Sequence, residues 1–303
     1  MTDAVIPAKI ELPTRSIVFS KGHAAMPLLL VLSFLLTAPD LVPIGHLDDP
    51  ALREVSGIVR SRTHKGVFWV HNDSGNLNDL YAITLDGKTL QRYRMPFFNV
   101  DWEDVAIDSR GRLYLGDIGN NGTLLPIRAV HRFDEPNPSA IPPQRFFKVT
   151  SCFYTFAEGK RFDSEGMFVL GSSVCLITKR LDGKEAEIHR LSFDPPSTWK
   201  SPQVPEKFAV LPGFVEPATG ADLTPDERWL AVCSSKVARV YSLDKTNGLT
   251  LSAEVRYKER QVEAIAWDDL DLILTDEQGS LFRISRKEWQ SAKPKATEGR
   301  RTR

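Results

Sequence analysis

Five copies of one pattern predict an all-β fold, a β-propeller of five four-stranded blades. The copies open with VSGIV at Val55, WEDVA at Trp102, SEGMF at Ser164, ATGAD at Ala218 and VEAIA at Val262, at spacings of 47, 62, 54 and 44 residues. Beyond Pro39 the chain shows almost no helical periodicity, and its short apolar runs are separated by Gly, Pro, Asn and Asp turns.

Taken from the amino terminus, residues 1–40 read as a leader. Ala24 to Ala38, AAMPLLLVLSFLLTA, carries no charge and follows Lys9, Arg15 and Lys21. It is short for a span of about 20 residues, and its length and basic flank suit a secretory signal. Export to the periplasm or medium is the expectation. An uncleaved anchor, the one route to a membrane, and a buried strand are the alternatives.

Residues 41–286 form the propeller. Each opening run is followed by a second (GVFWV, RLYLG, SVCLI, RWLAV, LDLIL) and a third (LYAITL, AVHRF, EIHRLSF, ARVYSL, SLFRIS). A fourth closes four units (LQRYRM, FFKVTSCFYTF, KFAVL, LSAEVRY), but the fifth unit stops after SLFRIS. The missing strand is assigned to LVPIGHL, Leu41 to Leu47, which would join the chain ends and remove two exposed sheet edges. A sixth blade would require an irregular blade hidden in the long second unit. Residues 287–303 read as a basic, disordered tail.

Composition excludes several functions. The 303 residues carry 39 Lys+Arg against 39 Asp+Glu, without the basic surplus that phosphate neutralisation demands, so nucleic acid is not an expected partner. Cys152, Cys175 and Cys233 lie in apolar runs without metal-ligand spacing and read as small buried hydrophobes. The six histidines form no HExxH or HxH pair. There is no GxSxG elbow and no Gly-rich phosphate loop.

The repeat also places side chains. In a propeller the first strand of each blade lines the channel, and the loop entering it shares a face with the loop joining strands two and three. Aligned at the start of the first strand are Ser56, Glu103, Glu165, Thr219 and Glu263; two positions earlier stand Glu54, Asp101, Asp163, Pro217 and Gln261. The next column is Gly57, Asp104, Gly166, Gly220 and Ala264. Carboxylates therefore converge on one channel mouth, where mutual repulsion demands a proton, a basic group or a cation. Any one of them taken alone serves equally well as a cap for strand-entry amides.

The second-to-third-strand loops add Asp73, Asp117, Asn120, Asn121, Lys179, Arg180, Asp276 and Glu277 on the same face. Oxygen-rich loops suit calcium, the candidate cofactor, although none has EF-hand spacing and turn chemistry explains the composition as well. Glu103, Glu165 and Glu263 are the principal candidate metal ligands, followed by Asp101, Asp117 and Asp276. Asp73, Asp104, Asn120, Asn121, Asp163, Lys179, Arg180 and Glu277 are candidate ligand-binding residues.

VSGIV with NDSG, DWEDVAID with GRLYLGDIGNN, SEGM with LITKR, and VEAIAW with LILTDE resemble a family of bacterial exported propellers near the esterase-like, phytase-like and SdiA-regulated groups. The resemblance covers roughly Val55 to Ile284. It implies a propeller fold, export and calcium binding. Asn120 stands where the family pattern has Asp, and CSSKVA lacks its polar motif. The functional expectation is an exported, non-catalytic propeller that binds a small molecule or protein on its acidic face. The alternative is a calcium-dependent phosphoester or ester hydrolase in which Lys179 and Arg180 hold the substrate anion.

Overall fold

The computed structural model describes residues 39–157, 162–258 and 260–294. The leader's apolar run lies outside them. No described helix is long and apolar enough to cross a membrane.

Among the described residues twenty strands form five four-stranded antiparallel sheets. Blade I comprises β2 (Val55–Arg60), β3 (Phe68–Asn72), β4 (Asp79–Ile83) and β5 (Thr89–Arg94). Blade II comprises β6 (Trp102–Ile107), β7 (Arg112–Asp117), β8 (Arg128–Asp134) and β9 (Thr150–Tyr154). Blade III holds β10 (Asp163–Leu170), β11 (Ser173–Lys179), β12 (Glu187–Ser192) and β13 (Glu206–Val210). Blade IV holds β14 (Gly220–Leu223), β15 (Trp229–Ser234), β16 (Val237–Leu243) and β17 (Leu249–Arg256).

Blade V contains β18 (Val262–Asp268), β19 (Asp271–Asp276) and β20 (Ser280–Ile284), and its outer strand is β1 (Pro43–His46). β1 pairs antiparallel with β20, Pro43 opposite Phe282 and His46 opposite Ser280. The assignment of LVPIGHL as the closing strand therefore holds, and so does the count of five blades.

Apolar residues form one core at each blade interface, because a twisted sheet must bury both faces against its neighbours. Trp69, Tyr93 and Trp102 centre the core between blades I and II; Tyr114, Tyr154 and Phe193 that between II and III. Phe168, Phe214 and Tyr241 fill the III–IV interface. Trp267 and Phe282 lie between IV and V, and Leu47 joins Phe68, Tyr81 and Leu281 between V and I. Cys152, Cys175 and Cys233 are unpaired and buried, as the sequence predicted.

Two buried aspartates tie the inner strands together. The Oδ2 of Asp104 accepts from the Met167 N–H at 2.7 Å and the Ala221 N–H at 3.2 Å, joining blades II, III and IV. Asp222 accepts from the Trp267 N–H at 2.8 Å, linking IV to V.

The tail departs from expectation at its start. Arg286–Ser291 forms a helix, α1, whose amino end carries a capping box between Ser285 and Glu288. Its Trp289 is buried against Trp229 and Trp267. Aromatic burial overrides the polar composition there, so ordered packing extends past residue 286.

Candidate functional site

The mouth is built from a repeated irregularity. Between Val55 and Gly57, Trp102 and Asp104, Ser164 and Gly166, and Val262 and Ala264, the ladder to the second strand shifts by one residue. The extra residues are Ser56, Glu103, Glu165 and Glu263. Each is the unpaired residue of a β-bulge, a device that bends a strand and re-aims a side chain. Blade IV has no such shift, and there Thr219 donates from Oγ1 to the Val262 carbonyl at 2.9 Å. The column read from the sequence is thus a column of bulges with one blade missing.

Ser56, Glu103, Glu165 and Glu263 line a cavity of about 230 Å³, with Glu54, Val55, Asp73, Asn121, Lys179 and Glu277 completing its wall. Asp73, Asp101 and Glu103 bring one oxygen each within 4.8 Å of one another, and so do Glu103, Asp163 and Glu165. Glu103 belongs to both sets. It is 3% exposed, and its Oε1 is buried without a hydrogen-bond partner among the described residues. Its Oε2 receives a long contact from the Ser56 hydroxyl at 3.4 Å.

Gly119, from the GDIGNN loop, permits this crowding: a Cβ there would lie 2.2 Å from Glu103 Oε1 and 2.6 Å from the Asp101 carboxyl carbon. Asn99 holds the loops in register. Its Nδ2 donates to the carbonyls of Asn72 at 3.2 Å and Asp73 at 2.8 Å, while its Oδ1 accepts from the Trp102 N–H at 3.1 Å. Neither residue carried a functional signal beyond its place in a turn.

The electrostatics follow from confinement. Burial, reinforced by Glu165, Asp73, Asp101 and Asp163, pushes the Glu103 carboxyl far above the usual carboxylate range. Burial raises Glu165 too, against the opposing pull of Lys179. Asp73 and Asp101 are raised by burial and by neighbouring carboxylates, and Glu277 by burial and Glu54. Burial brings Glu263 up to about 7. Burial alone would lower Lys179, but its ion pair with Glu165 outweighs that and holds the ammonium charged.

Other candidates lie elsewhere. Asp104 points into the inter-blade core, where three backbone N–H groups occupy its oxygens, because the residue after the bulge faces away from the mouth. Asp276 is buried against Arg260 at 3.2 Å and accepts from the Ser280 N–H at 2.7 Å. Asp117 accepts from the Asp101 N–H at 2.7 Å and supports the mouth from below; burial pushes it up to about 7. Asn120 accepts from the Leu125 N–H at 2.7 Å and donates its own backbone N–H to Asp163 at 2.8 Å. Arg180 turns outward to Asp182 at 2.5 Å and borders a neighbouring groove of about 610 Å³ with Phe162 and Leu181.

No known protein family and no curated protein matches the sequence. Among solved structures the chain is similar to one described as "Crystal Structure of Mitotic Checkpoint Complex", with 13% identity and a TM-score of 0.37 over 88% of this chain and 69% of that one. It is also similar to one described as "Streptogramin B lyase structure", with 14% identity and a TM-score of 0.40 over 79% of this chain and 71% of that one. Similarities this distant carry no argument about activity.

Proposed function

We propose that this chain is an exported, non-catalytic propeller whose mouth binds a divalent cation and, on that face, a small-molecule or protein ligand. The observation that carries the reading is Glu103, which belongs to two overlapping carboxylate sets and has one oxygen buried without a hydrogen-bond partner among the described residues. A buried carboxylate without a hydrogen-bond donor is costly unless protonated or bound to a cation. The donors are oxygens throughout, the chemistry of calcium rather than of a softer metal. Asp73, Asp101 and Glu103 would hold the ion. Export is supported by the leader and by the resemblance of DWED and GDIGNN to exported propellers.

Binding is favoured over hydrolysis by the lining itself. Its single hydroxyl among the described residues, Ser56, donates to the Glu103 carbonyl at 2.8 Å. His71, in β3 of blade I, is buried beneath Gly57 and lowered by that burial to about 4. Neither is poised as a nucleophile, and the two basic residues that a hydrolase would aim at a substrate anion are engaged elsewhere, Lys179 with Glu165 and Arg180 with Asp182.

Calorimetry and thermal melting with calcium test this reading. Saturation at a hundredfold excess over Kd stabilises the fold by about 2.7 kcal/mol. Glu103→Gln should remove that increment and leave the metal-free protein at least as stable as the natural chain. Absence of binding at millimolar calcium in folded protein would overturn the reading.

A further inference from the structure

We propose that the ammonium of Lys179 occupies the second of two overlapping cation positions in the mouth, so that the chain holds one divalent ion where its carboxylates would otherwise hold two. The inference rests on the cation-binding reading above and specifies its stoichiometry.

Each of the two sets brings three carboxylates together, and the two differ in company. Asp73, Asp101 and Glu103 form the first; Glu103, Asp163 and Glu165 form the second. Lys179 Nζ is ion-paired with Glu165, in the second set. The ladder fixes it there, since Lys179 ends β11 directly opposite Asp163 at the start of β10. Among the described residues no Lys or Arg pairs with Asp73, Asp101 or Glu103. The orphaned Glu103 oxygen thus belongs to a mouth in which one of the two carboxylate sets already has a lysine ammonium ion-paired to one of its members.

A lysine ammonium is a compact point charge with three donors, able to stand where a small cation would stand between carboxylates. It also carries a single charge, which limits repulsion of a divalent ion in the adjoining position. Removing it strips Asp163 and Glu165 of their counter-charge in a partly desolvated cleft, and such groups recruit a cation or a proton. Glu103, shared by both sets, would then bridge two ions. Lys179 also borders the outer groove with Asn121 and Phe162, so the second position opens toward solvent and has an entry path.

Equilibrium dialysis against calcium chloride with elemental analysis reads the stoichiometry directly. The natural chain and Lys179→Arg should bind one ion per chain, and Lys179→Met should bind two. Lys179→Gln is the second uncharged variant should the methionine form fail to fold. Manganese substitution gives an independent readout: exchange broadening of its paramagnetic resonance in the uncharged variants and an isolated-ion spectrum in the natural chain. One ion in both the natural chain and the uncharged variants overturns this inference while leaving the cation-binding reading intact, and two ions in the natural chain overturn it as well. No ion in the natural chain overturns both.

Discussion

The side-chain amide of Asn99 donates to the backbone carbonyl of Asp73 at 2.8 Å, across the boundary between blades I and II. Because the same side chain also accepts from Trp102, it fixes the separation of Asp73 from Asp101 without being a ligand. Asn99→Ala should cost about 1–3 kcal/mol for the lost, partly buried hydrogen bonds. It should also weaken calcium binding by about tenfold or more. Urea unfolding and calcium titration check both; unchanged affinity would mean that the loop holds its position without this clamp.

Gly119→Ala isolates the crowding of the carboxylates. The added methyl meets Glu103 and Asp101 side chains rather than backbone, so they swing aside at modest cost to the fold. Calcium affinity should fall by about tenfold or more, with a melting temperature close to that of the natural chain in chelator. Retained affinity would place the cation away from Glu103 and Asp101.

Glu263 gives the metal-free protein a pH dependence of definite sign. Its folded-state carboxyl titrates near 7 against an ordinary 4.5, chiefly because of burial. A raised acid binds its proton more tightly when folded, so its contribution is present below 4.5 and lost as pH rises through 7. In chelator, the natural chain should therefore lose about 1–3 kcal/mol more than Glu263→Gln between pH 5 and pH 8. Parallel stability curves would show that Glu263 reaches solvent.

The two ends of the chain differ in what they hold. Deleting residues 41–47 removes β1 and the buried Leu47, whereas deleting residues 293–303 leaves Trp289 in place. The first deletion should lower the melting temperature far more than the second. Trp289→Ala should itself cost about 3–5 kcal/mol. Equal effects from the two deletions would contradict the stabilising role of β1.

Export is checked by a reporter fused to residues 1–40. The fusion should leave the cytoplasm, and Leu30→Asp with Leu35→Asp should retain it. A reporter that stays inside with the intact leader would remove the localisation expected from the sequence.

Much of this architecture was legible because the pattern recurs. Five aligned apolar runs fix blade number and order, and the incomplete fifth unit points to Leu41–Leu47 as its partner. The mouth was legible at the level of columns, since Glu103, Glu165 and Glu263 fall at one repeat position. The bulges were not, because a one-residue register shift leaves no mark in hydrophobic alternation. That shift separates Glu103, aimed into the mouth, from Asp104, aimed into the core. Nor did composition show that Asp276 belongs to Arg260, since the two are 16 residues apart and meet only through the fold. Trp289 was hidden within a basic tail whose charge outweighed one aromatic residue.

The β1–β20 pairing places the first strand of the described residues beside the last. During synthesis β1 therefore waits with its backbone groups unclaimed until nearly all of the chain has emerged, while blades I to IV assemble from neighbouring sequence. Non-local pairing of this kind is slow, and an unpaired strand is a template for other chains. A ribosome stalled before β18, or a protease cut after blade IV, would release an open ring with the apolar faces of blades I and IV uncovered. Such products would be prone to associate with one another, making full-length completion a condition of solubility as well as of stability.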